Sequence, residues 1–230
     1  MALVLLVALS ALLLLAALYA IFAVAPVESR MGIVQKIFFF HVPSAYAMYL
    51  CYLACAVGSG LYLTKRKPVW DALALSSAEV GSLFCAMVLT TGPLWARKAW
   101  GVYWTWDPRL TTTLLSGMVF FAYLLLRSFG NAGQVERRFA AILAVAGVLN
   151  LPVVHFSVRQ WRGMHPAVIT GSGGGLDPAM RLALLLGIAF FTALALLLVW
   201  MRVRAEQVRQ RLQRMESLAA ERGLLEDFDG

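Results

Sequence analysis

Charged residues are scarce in this chain of 230 residues, at 14% of the total against 61% apolar residues. So few polar side chains cannot cover the surface of a soluble domain, which excludes that class and indicates an integral membrane protein. The net charge of +8 might suggest nucleic acid as a partner. In a membrane chain it is more typical of basic residues at cytoplasmic helix ends, so we predict no nucleic-acid partner.

Cysteine is equally scarce. The three cysteines, Cys51, Cys55 and Cys85, all lie within apolar runs, where a thiol packs as a small apolar side chain. This placement supports neither a disulfide framework nor a CxxC metal or redox site. Cys51 and Cys55 share a helix face, but we do not expect the pair to bind metal.

Apolar runs of roughly 20 residues, enough to cross a ~30 Å hydrocarbon core, occur six times. We predict an all-α integral membrane protein with six transmembrane helices in one domain over residues 1–201 and an amphipathic tail over 202–230. The predicted spans are 2–25, 39–64, 72–95, 110–128, 139–156 and 179–201. The first ends in a signal-peptidase-like Ala23-Val24-Ala25, but its run is long and no basic residue precedes it, so we predict that it is retained.

Basic residues set the predicted orientation, because Lys and Arg concentrate on the cytoplasmic side. The loop at 65–71 has lysine and arginine, and the loop at 127–138 and the tail are rich in arginine, so we place them and both termini in the cytoplasm. The remaining loops then face outward. Their basic residues are Arg30, Lys36, Arg97, Lys98, Arg109, Arg159, Arg162 and Arg181. These exceed what orientation requires, and an anionic ligand on the outer face would account for them.

Two features lie on the cytoplasmic side. Glu79 falls inside the third span, where an ionisable group is costly. We expect it to hydrogen bond a nearby serine, with a proton relay as the alternative. The tail from Arg202 to Phe228 carries apolar residues at helical spacing among its charges, which predicts an amphipathic extension of the sixth helix on the membrane surface or against a partner.

The stretch WGVYWTWDPRLT, residues 100–111, separates the third and fourth spans. Its aromatic residues are Trp100, Tyr103, Trp104 and Trp106. An interfacial aromatic belt is the simplest explanation, but belts are spread over many helix ends and do not need Asp107 and Arg109 between their rings. We therefore favour a platform for a ligand. For Asp107 we expect a structural role, either capping the fourth span or pairing with an arginine.

Two histidines are predicted on the same outer face as this loop. His41, in FFFHVP, begins the second span, and His165, in RGMHP, lies between the fifth and sixth, while His155 ends the fifth span nearby. One histidine at a helix end is usually a satisfied polar residue. Two of them beside an aromatic loop and surplus arginines match heme, whose iron accepts two imidazoles. Indole faces suit its macrocycle and arginines its propionates. Zinc would account for the histidines alone.

The stretch 100–111 resembles the tryptophan-rich WWD motif, roughly WGxxWxWDxRLT, of the heme-handling protein family. The matching residues are Trp100, Gly101, Trp104, Trp106, Asp107, Arg109, Leu110 and Thr111. FFFHVP and RGMHP are similar to the family's two flanking histidine segments, and NLPVVHFS and LDPAMR also look like family stretches. Six spans and 230 residues point to the smallest branch, the heme exporter protein C (CcmC) branch of System I cytochrome c maturation.

The resemblance implies that His41 and His165 are the axial ligands of a non-covalently bound heme b at the periplasmic face of the bacterial inner membrane. The tryptophan loop, with Gly101 and Tyr103, would hold the macrocycle. The implied partners are a periplasmic heme chaperone (CcmE), ABC transporter subunits (CcmA and CcmB) and a small membrane protein (CcmD), besides the surrounding lipid. The TGSGGG run after His165 is richer in glycine than the family loop is expected to be.

We expect binding and transfer of heme rather than catalysis. One alternative is an enzyme, a cytochrome c heme lyase or synthetase with the same motif. Those relatives are longer and are expected to carry histidines inside their spans, where this sequence has none. The other alternative is a subunit of a transport complex in which the aromatic belt and the histidines are incidental.

Overall fold

The computed structural model describes residues 1–128, 133–161 and 175–222. Within these ranges the chain is helical, with one isolated antiparallel bridge between Glu28 and Gly32. The helices are α1 Ala2–Tyr19, α2 Phe38–Lys65, α3 Pro68–Trp100, α4 Pro108–Ser128, α5 Gln134–Gly147, α6 Asn150–Gln160 and α7 Pro178–Glu221. Six segments are long and apolar enough to cross a membrane, which confirms the predicted fold class.

The first span, α1 with the π-helical turn Ala20–Val24, packs mainly against α7. The last carbonyl groups of a helix have no partner within the helix. Here the Lys36 side chain provides a hydrogen-bond donor for them. Its side chain is only 5% exposed, and its ammonium donates to the carbonyls of Ile21 and Ala25. Lys36 therefore caps the first span. The prediction that Lys36 is one of the surplus outer basic residues available to an anionic ligand is wrong.

The centre of the bundle is the contact between α2 and α3, which small residues make close. A Cβ added at Gly58 would lie 3.0 Å from the backbone nitrogen of Ala74, and one added at Gly81 would lie 2.7 Å from the Tyr52 ring. The Tyr52 ring stacks on Phe120 of α4, with centroids 3.7 Å apart. Neither glycine can be enlarged without moving a neighbouring helix or ring.

The fifth predicted span, residues 139–156, consists of two helices, α5 and α6. Pro152 explains the interruption, because proline has no N–H to donate and its ring clashes with the carbonyl four residues earlier, that of Val148. The Asn150 side chain fixes the turn against α4, donating at 2.7 Å to the carbonyl of Thr112 and at 2.7 Å to the hydroxyl of Ser116. The sequence analysis did not anticipate this break.

The last helix, α7, is continuous for 44 residues, about 66 Å at 1.5 Å per residue. The carboxylate of Asp177 accepts the N–H of Ala179 at 2.8 Å and caps its start. The predicted tail is helical as far as Glu221 and continues the sixth span without a break at Met201. The cytoplasmic amphipathic helix expected from the sequence is thus an extension of a transmembrane helix.

Where α3 begins, α4 ends and α7 passes, buried charges meet; we call this the arginine end. The Asp71 carboxylate is the centre of the cluster. It accepts from Arg127 at 2.8 Å, lies 3.5 Å from the Arg137 guanidinium and accepts a longer contact of 3.5 Å from the Gln210 amide. Because Gln210 lies on the α7 extension, these contacts join the root of that extension to α3, α4 and α5.

Glu79 also lies near this end, on α3. Both of its carboxylate oxygens accept from Arg202 of α7, at 2.7 Å and 2.6 Å. The partner is therefore an arginine of another helix. The expected hydrogen bond to a neighbouring serine is not what the structure has.

Candidate functional site

At the opposite end of the bundle, where α2 begins and α3 ends, lies the region we call the tryptophan end. His41 stands in the first turn of α2, and its Nδ1 is 2.9 Å from the hydroxyl of Thr91 on α3. That hydroxyl donates its single proton to the carbonyl of Met87 at 2.6 Å. It can therefore only accept from His41. Nδ1 must carry the proton, and Nε2 keeps the lone pair with which imidazole binds a metal.

Gly92 follows Thr91 and faces the same ring. A Cβ added at Gly92 would lie 3.2 Å from Cε1 of His41, tighter than most real contacts of this kind. The α3 backbone at Gly92 thus sets how closely the imidazole approaches α3, while Thr91 sets its tautomer. Sequence reasoning missed both residues, although the run Thr-Thr-Gly-Pro at 90–93, small and polar inside an apolar span, was a signal for them.

The tryptophan loop begins inside a helix, because Trp100 is the last residue of α3. Gly101 follows with φ +79°, the left-handed conformation that glycine adopts at helix ends. Arg97 donates to the Gly101 carbonyl, and its guanidinium lies over the Tyr103 ring, 5.5 Å from the centroid. Trp100 packs edge-on against Trp95 of α3, with centroids 5.8 Å apart. The start of the loop is therefore fixed by α3.

The outer part of the loop presents aromatic surface. Trp104 and Trp106 meet edge to face, with centroids 5.8 Å apart. Trp106 is 75% exposed and Tyr103 57% exposed. A belt residue at a lipid interface would show similar exposure. Here, however, the exposed rings lie in one loop, and that loop directly follows α3, the helix that carries Thr91. They provide exposed aromatic surface at the tryptophan end.

Asp107 has a structural role in this structure. Its carboxylate is buried and accepts the backbone N–H of Arg109 at 2.9 Å, which caps the start of α4. This is one of the two roles expected for it. Arg109 reaches across to α6, where its guanidinium donates to the carbonyl of His155 at 3.2 Å. It also lies within electrostatic range of His41, so a positive charge stands beside the imidazole.

The predicted site residues are thus brought together in part. His41, Arg109 and the tryptophan loop meet at one end of the bundle. His165 lies outside the described residues, as do Arg162 and residues 170–174 of the TGSGGG run. His155 is exposed in the middle of α6, with its ring edge against Phe156. Over the described ranges, no group of three or more His, Cys, Asp or Glu side chains could hold a metal ion.

Comparison with known proteins bears on what this end of the bundle does. The chain is 34% identical over 202 residues to heme exporter protein C of Bradyrhizobium diazoefficiens, a match that covers 87% of this chain and 77% of that protein. It is 32% identical over 183 residues to heme exporter protein C of Escherichia coli K12, covering 80% and 74%. A putative cytochrome c biosynthesis ccmC-like mitochondrial protein of Marchantia polymorpha is 33% identical over 169 residues, covering 73% and 72%.

The family model described as heme exporter protein C matches residues 1–218 of this chain, which takes in all six spans and most of the α7 extension. Such a match, with relatives above 30% identity over most of both chains, shows common ancestry across the whole bundle. This multi-pass membrane protein belongs to the heme exporter protein C family, whose role is heme delivery for cytochrome c maturation.

Proposed function

We propose that this protein binds heme b non-covalently at the tryptophan end, with His41 and His165 as axial ligands, and passes it to a periplasmic heme chaperone. One observation carries the proposal. The hydrogen bonds of Thr91 leave Nε2 of His41 as the unprotonated nitrogen, in the tautomer that iron requires. That nitrogen belongs to a ring held between two helices, beside an exposed aromatic loop.

Other side chains at the tryptophan end fit the rest of the heme. Heme is a large apolar disc, and Tyr103, Trp104 and Trp106 offer rings for its faces and edges. Arg109 supplies the positive charge that a propionate needs. Asp107 supports this set by holding the first turn of α4, from which Arg109 projects. Heme iron would receive two neutral nitrogen ligands and no covalent bond to the protein.

We propose an orientation in the bacterial inner membrane with the tryptophan end periplasmic and both termini cytoplasmic. Arginines 127, 137, 202 and 209 all lie at the arginine end, as the positive-inside rule requires for the cytoplasmic side. Reporter fusions at the C-terminus test this. An alkaline phosphatase fusion that is active there would contradict it.

For release, we propose that His165 leaves the iron first when the chaperone docks. His41 is held by two helices, whereas His165 stands between Gly163 and the TGSGGG run in the sequence. The remaining partners proposed from the family resemblance are the ABC transporter subunits CcmA and CcmB and the small membrane protein CcmD. A trapped complex with the chaperone whose spectrum still shows two histidines from this chain would contradict the order of release.

The test of the site is the visible spectrum of the purified protein. We expect a Soret band with a low-spin, bis-histidine signature that His41→Ala and His165→Ala each abolish. His155→Ala is the matched control, since His155 is the third histidine and its contact with Arg109 is through the backbone carbonyl; this variant should keep the band. A band unaffected by replacing both His41 and His165 would refute the proposal.

The enzyme alternative, a heme lyase or synthetase, differs in its product. Such an enzyme would leave heme attached to an apocytochrome by thioether bonds, whereas a transfer protein leaves it free to be extracted by acid and solvent. Incubating the heme-loaded protein with an apocytochrome alone distinguishes the two. We expect no covalent product.

A further inference from the structure

The α7 extension beyond Arg202 has two different faces. The face toward the protein includes Glu206, which is buried, and Gln210, which reaches both Asp71 and Glu206. Arg209 binds the Glu206 carboxylate at 2.8 Å and 2.9 Å. These contacts hold the root of the extension against the arginine end. The extension is therefore fixed in direction for at least its first two turns.

The opposite side of the extension, which we call the outward face, is apolar and basic. At 100° per residue its members fall within an arc of about 100°, and all are exposed. They are Arg204, Val208, Arg211, Leu212, Met215 and Arg222. The exposed fractions are 56% for Val208, 53% for Leu212 and 66% for Met215. The acidic residues of the extension within the described part, Glu206, Glu216 and Glu221, lie outside this arc.

The lipid bilayer cannot cover the distal part of the outward face while α7 stays straight. The headgroup layer on each side is about 5–8 Å thick. At 1.5 Å per residue, Met215 lies about 20 Å beyond Arg202, the first charged residue after the apolar part of the helix. The α7 helix is continuous through this region, from Pro178 to Glu221. The surface is thus presented to the aqueous phase.

A second copy of the chain is a poor occupant as well. Copies in one membrane share an orientation, so their extensions would pair in parallel and place each residue against its equivalent. Arg211 would meet Arg211, and Arg204 would meet Arg204. Like charges in contact disfavour such pairing. A surface that combines apolar residues with unbalanced positive charge fits a different partner.

We propose that the outward face of the α7 extension is a docking surface for another protein, one that presents an apolar groove bordered by carboxylates. Val208, Leu212 and Met215 would enter the groove, as in other helix-in-groove complexes, and Arg204 and Arg211 would pair with its acidic border. Because the extension continues α7, the partner binds at the arginine end, far along the molecule from His41. The proposal uses only the cytoplasmic orientation of the tail given above and does not depend on heme binding.

The experiment is site-specific photo-crosslinking in intact cells with the full-length chain. A photoreactive amino acid is placed at Met215 on the outward face or, as the matched control, at Ser217, which is equally distal, exposed and on the other side of the helix. We expect one protein adduct from Met215 and none from Ser217. Mass spectrometry of the adduct should locate the crosslink in a segment rich in Asp and Glu.

Charge variants complete the test. Arg204→Glu with Arg211→Glu should reduce the Met215 adduct by about tenfold or more, since like charges across an interface cost several kcal/mol. Arg204→Lys with Arg211→Lys should retain it within about twofold, because rim contacts depend mainly on charge. The amount of each variant in the membrane and its Soret band serve as controls for folding.

Adducts to a second copy of the chain, to lipid alone, or to a segment without carboxylates would each overturn the proposal. So would equal crosslinking from Ser217, no adduct from Met215, or an adduct that is insensitive to the charge reversal. Failure of the heme proposal would look different. It would remove the Soret band from the unaltered chain and leave the Met215 adduct in place.

Discussion

The two ends of the bundle use polar and aromatic residues in opposite ways. At the arginine end, charges are buried and joined to one another, with Asp71 contacting side chains from three other helices. At the tryptophan end, the large rings of Tyr103 and Trp106 stay exposed, while small polar groups such as Thr91 and Asp107 fix the positions of others. The first arrangement joins four helices through buried charges, and the second leaves aromatic surface exposed.

The difference has an energetic reason. An exposed indole forgoes the 1.5–3 kcal/mol that burying a large apolar side chain typically contributes. A chain that leaves an exposed indole and an exposed phenol ring on one loop, at Trp106 and Tyr103, either has a ligand to cover them or places them against lipid. The arginine end shows that the same chain can bury and pair even charged groups. The predictions below test whether stability and ligand binding are separated in this way.

The largest expected effect is at Asp71. Asp71→Ala leaves Arg127, whose side chain is 3% exposed, as a buried charge without its anion, and breaking such a pair typically costs 3–5 kcal/mol. We expect a fall in the free energy of unfolding of about that size, measured by thermal unfolding in detergent. The fraction that stays folded should keep its Soret band, since His41 lies at the other end.

A double variant makes the control for this prediction. Asp71→Ala with Arg127→Met removes both charges, and replacement of a buried pair by apolar residues is often close to neutral. It should therefore recover most of the lost stability. A single Asp71→Ala variant as stable as the unaltered protein would show that the arginine end does not stabilise the fold.

The second prediction concerns Thr91, a positioning residue. Thr91→Val keeps the shape of the side chain but removes the oxygen that accepts from Nδ1 of His41. Loss of such a partner behind a metal-binding histidine typically lowers affinity 10–100-fold. We expect weaker heme retention by that factor in a titration with an apo-globin acceptor.

Thr91→Ser is the matched variant, because it restores the hydroxyl and should restore retention. The bis-histidine spectrum should weaken in Thr91→Val before stability changes. Equal loss of heme from the valine and serine variants would contradict the tautomer argument and leave Thr91 with a packing role only.

The third prediction concerns Asp107. Asp107→Ala removes the cap of α4, and loss of an N-cap typically costs about 0.5–2 kcal/mol. Asp107→Asn, which can still cap, should be nearly as stable as the unaltered protein. If the Asp107 carboxylate instead acted on the bound heme through its negative charge, Asp107→Asn would retain heme as poorly as Asp107→Ala.

Sequence reasoning predicted the fold well, because its signals are local. Six apolar runs are read from composition alone, and the structure has six segments capable of spanning the membrane. It failed where a single residue overrides the pattern or where the partner is distant. Pro152 divides the fifth span, which hydropathy cannot show, and Lys36 finds its carbonyl partners 15 and 11 residues away.

The candidate site was predicted at the level of residue types. The motif at 100–111 predicted an aromatic loop and Arg109 near His41; the structure has Arg109 within electrostatic range of His41 and the loop at the same end of the bundle. The Thr-Thr-Gly-Pro run could have drawn attention to Thr91, but its role could not be predicted, since that role depends on a contact with a residue 50 positions away. The same limit applies to Glu79, whose partner Arg202 is 123 positions along the chain. His165 as the second ligand remains a prediction.

The smallest expected effect is at the Glu79–Arg202 pair. It tests most directly the comparison of buried with exposed groups. Glu79 and Arg202 lie near the same end as Asp71 and Arg127 and are as close, at 2.6 Å, but their side chains are 31% and 47% exposed. Exposed ion pairs typically contribute 0.2–1 kcal/mol, so Glu79→Gln should lower the free energy of unfolding by no more than that. Thermal unfolding beside Asp71→Ala, with Arg202→Gln as the reciprocal variant, provides the measurement. If Glu79→Gln proved as damaging as Asp71→Ala, burial would not be what separates the two pairs. The stability of this end would then come from the links between α7 and α3 rather than from the buried cluster.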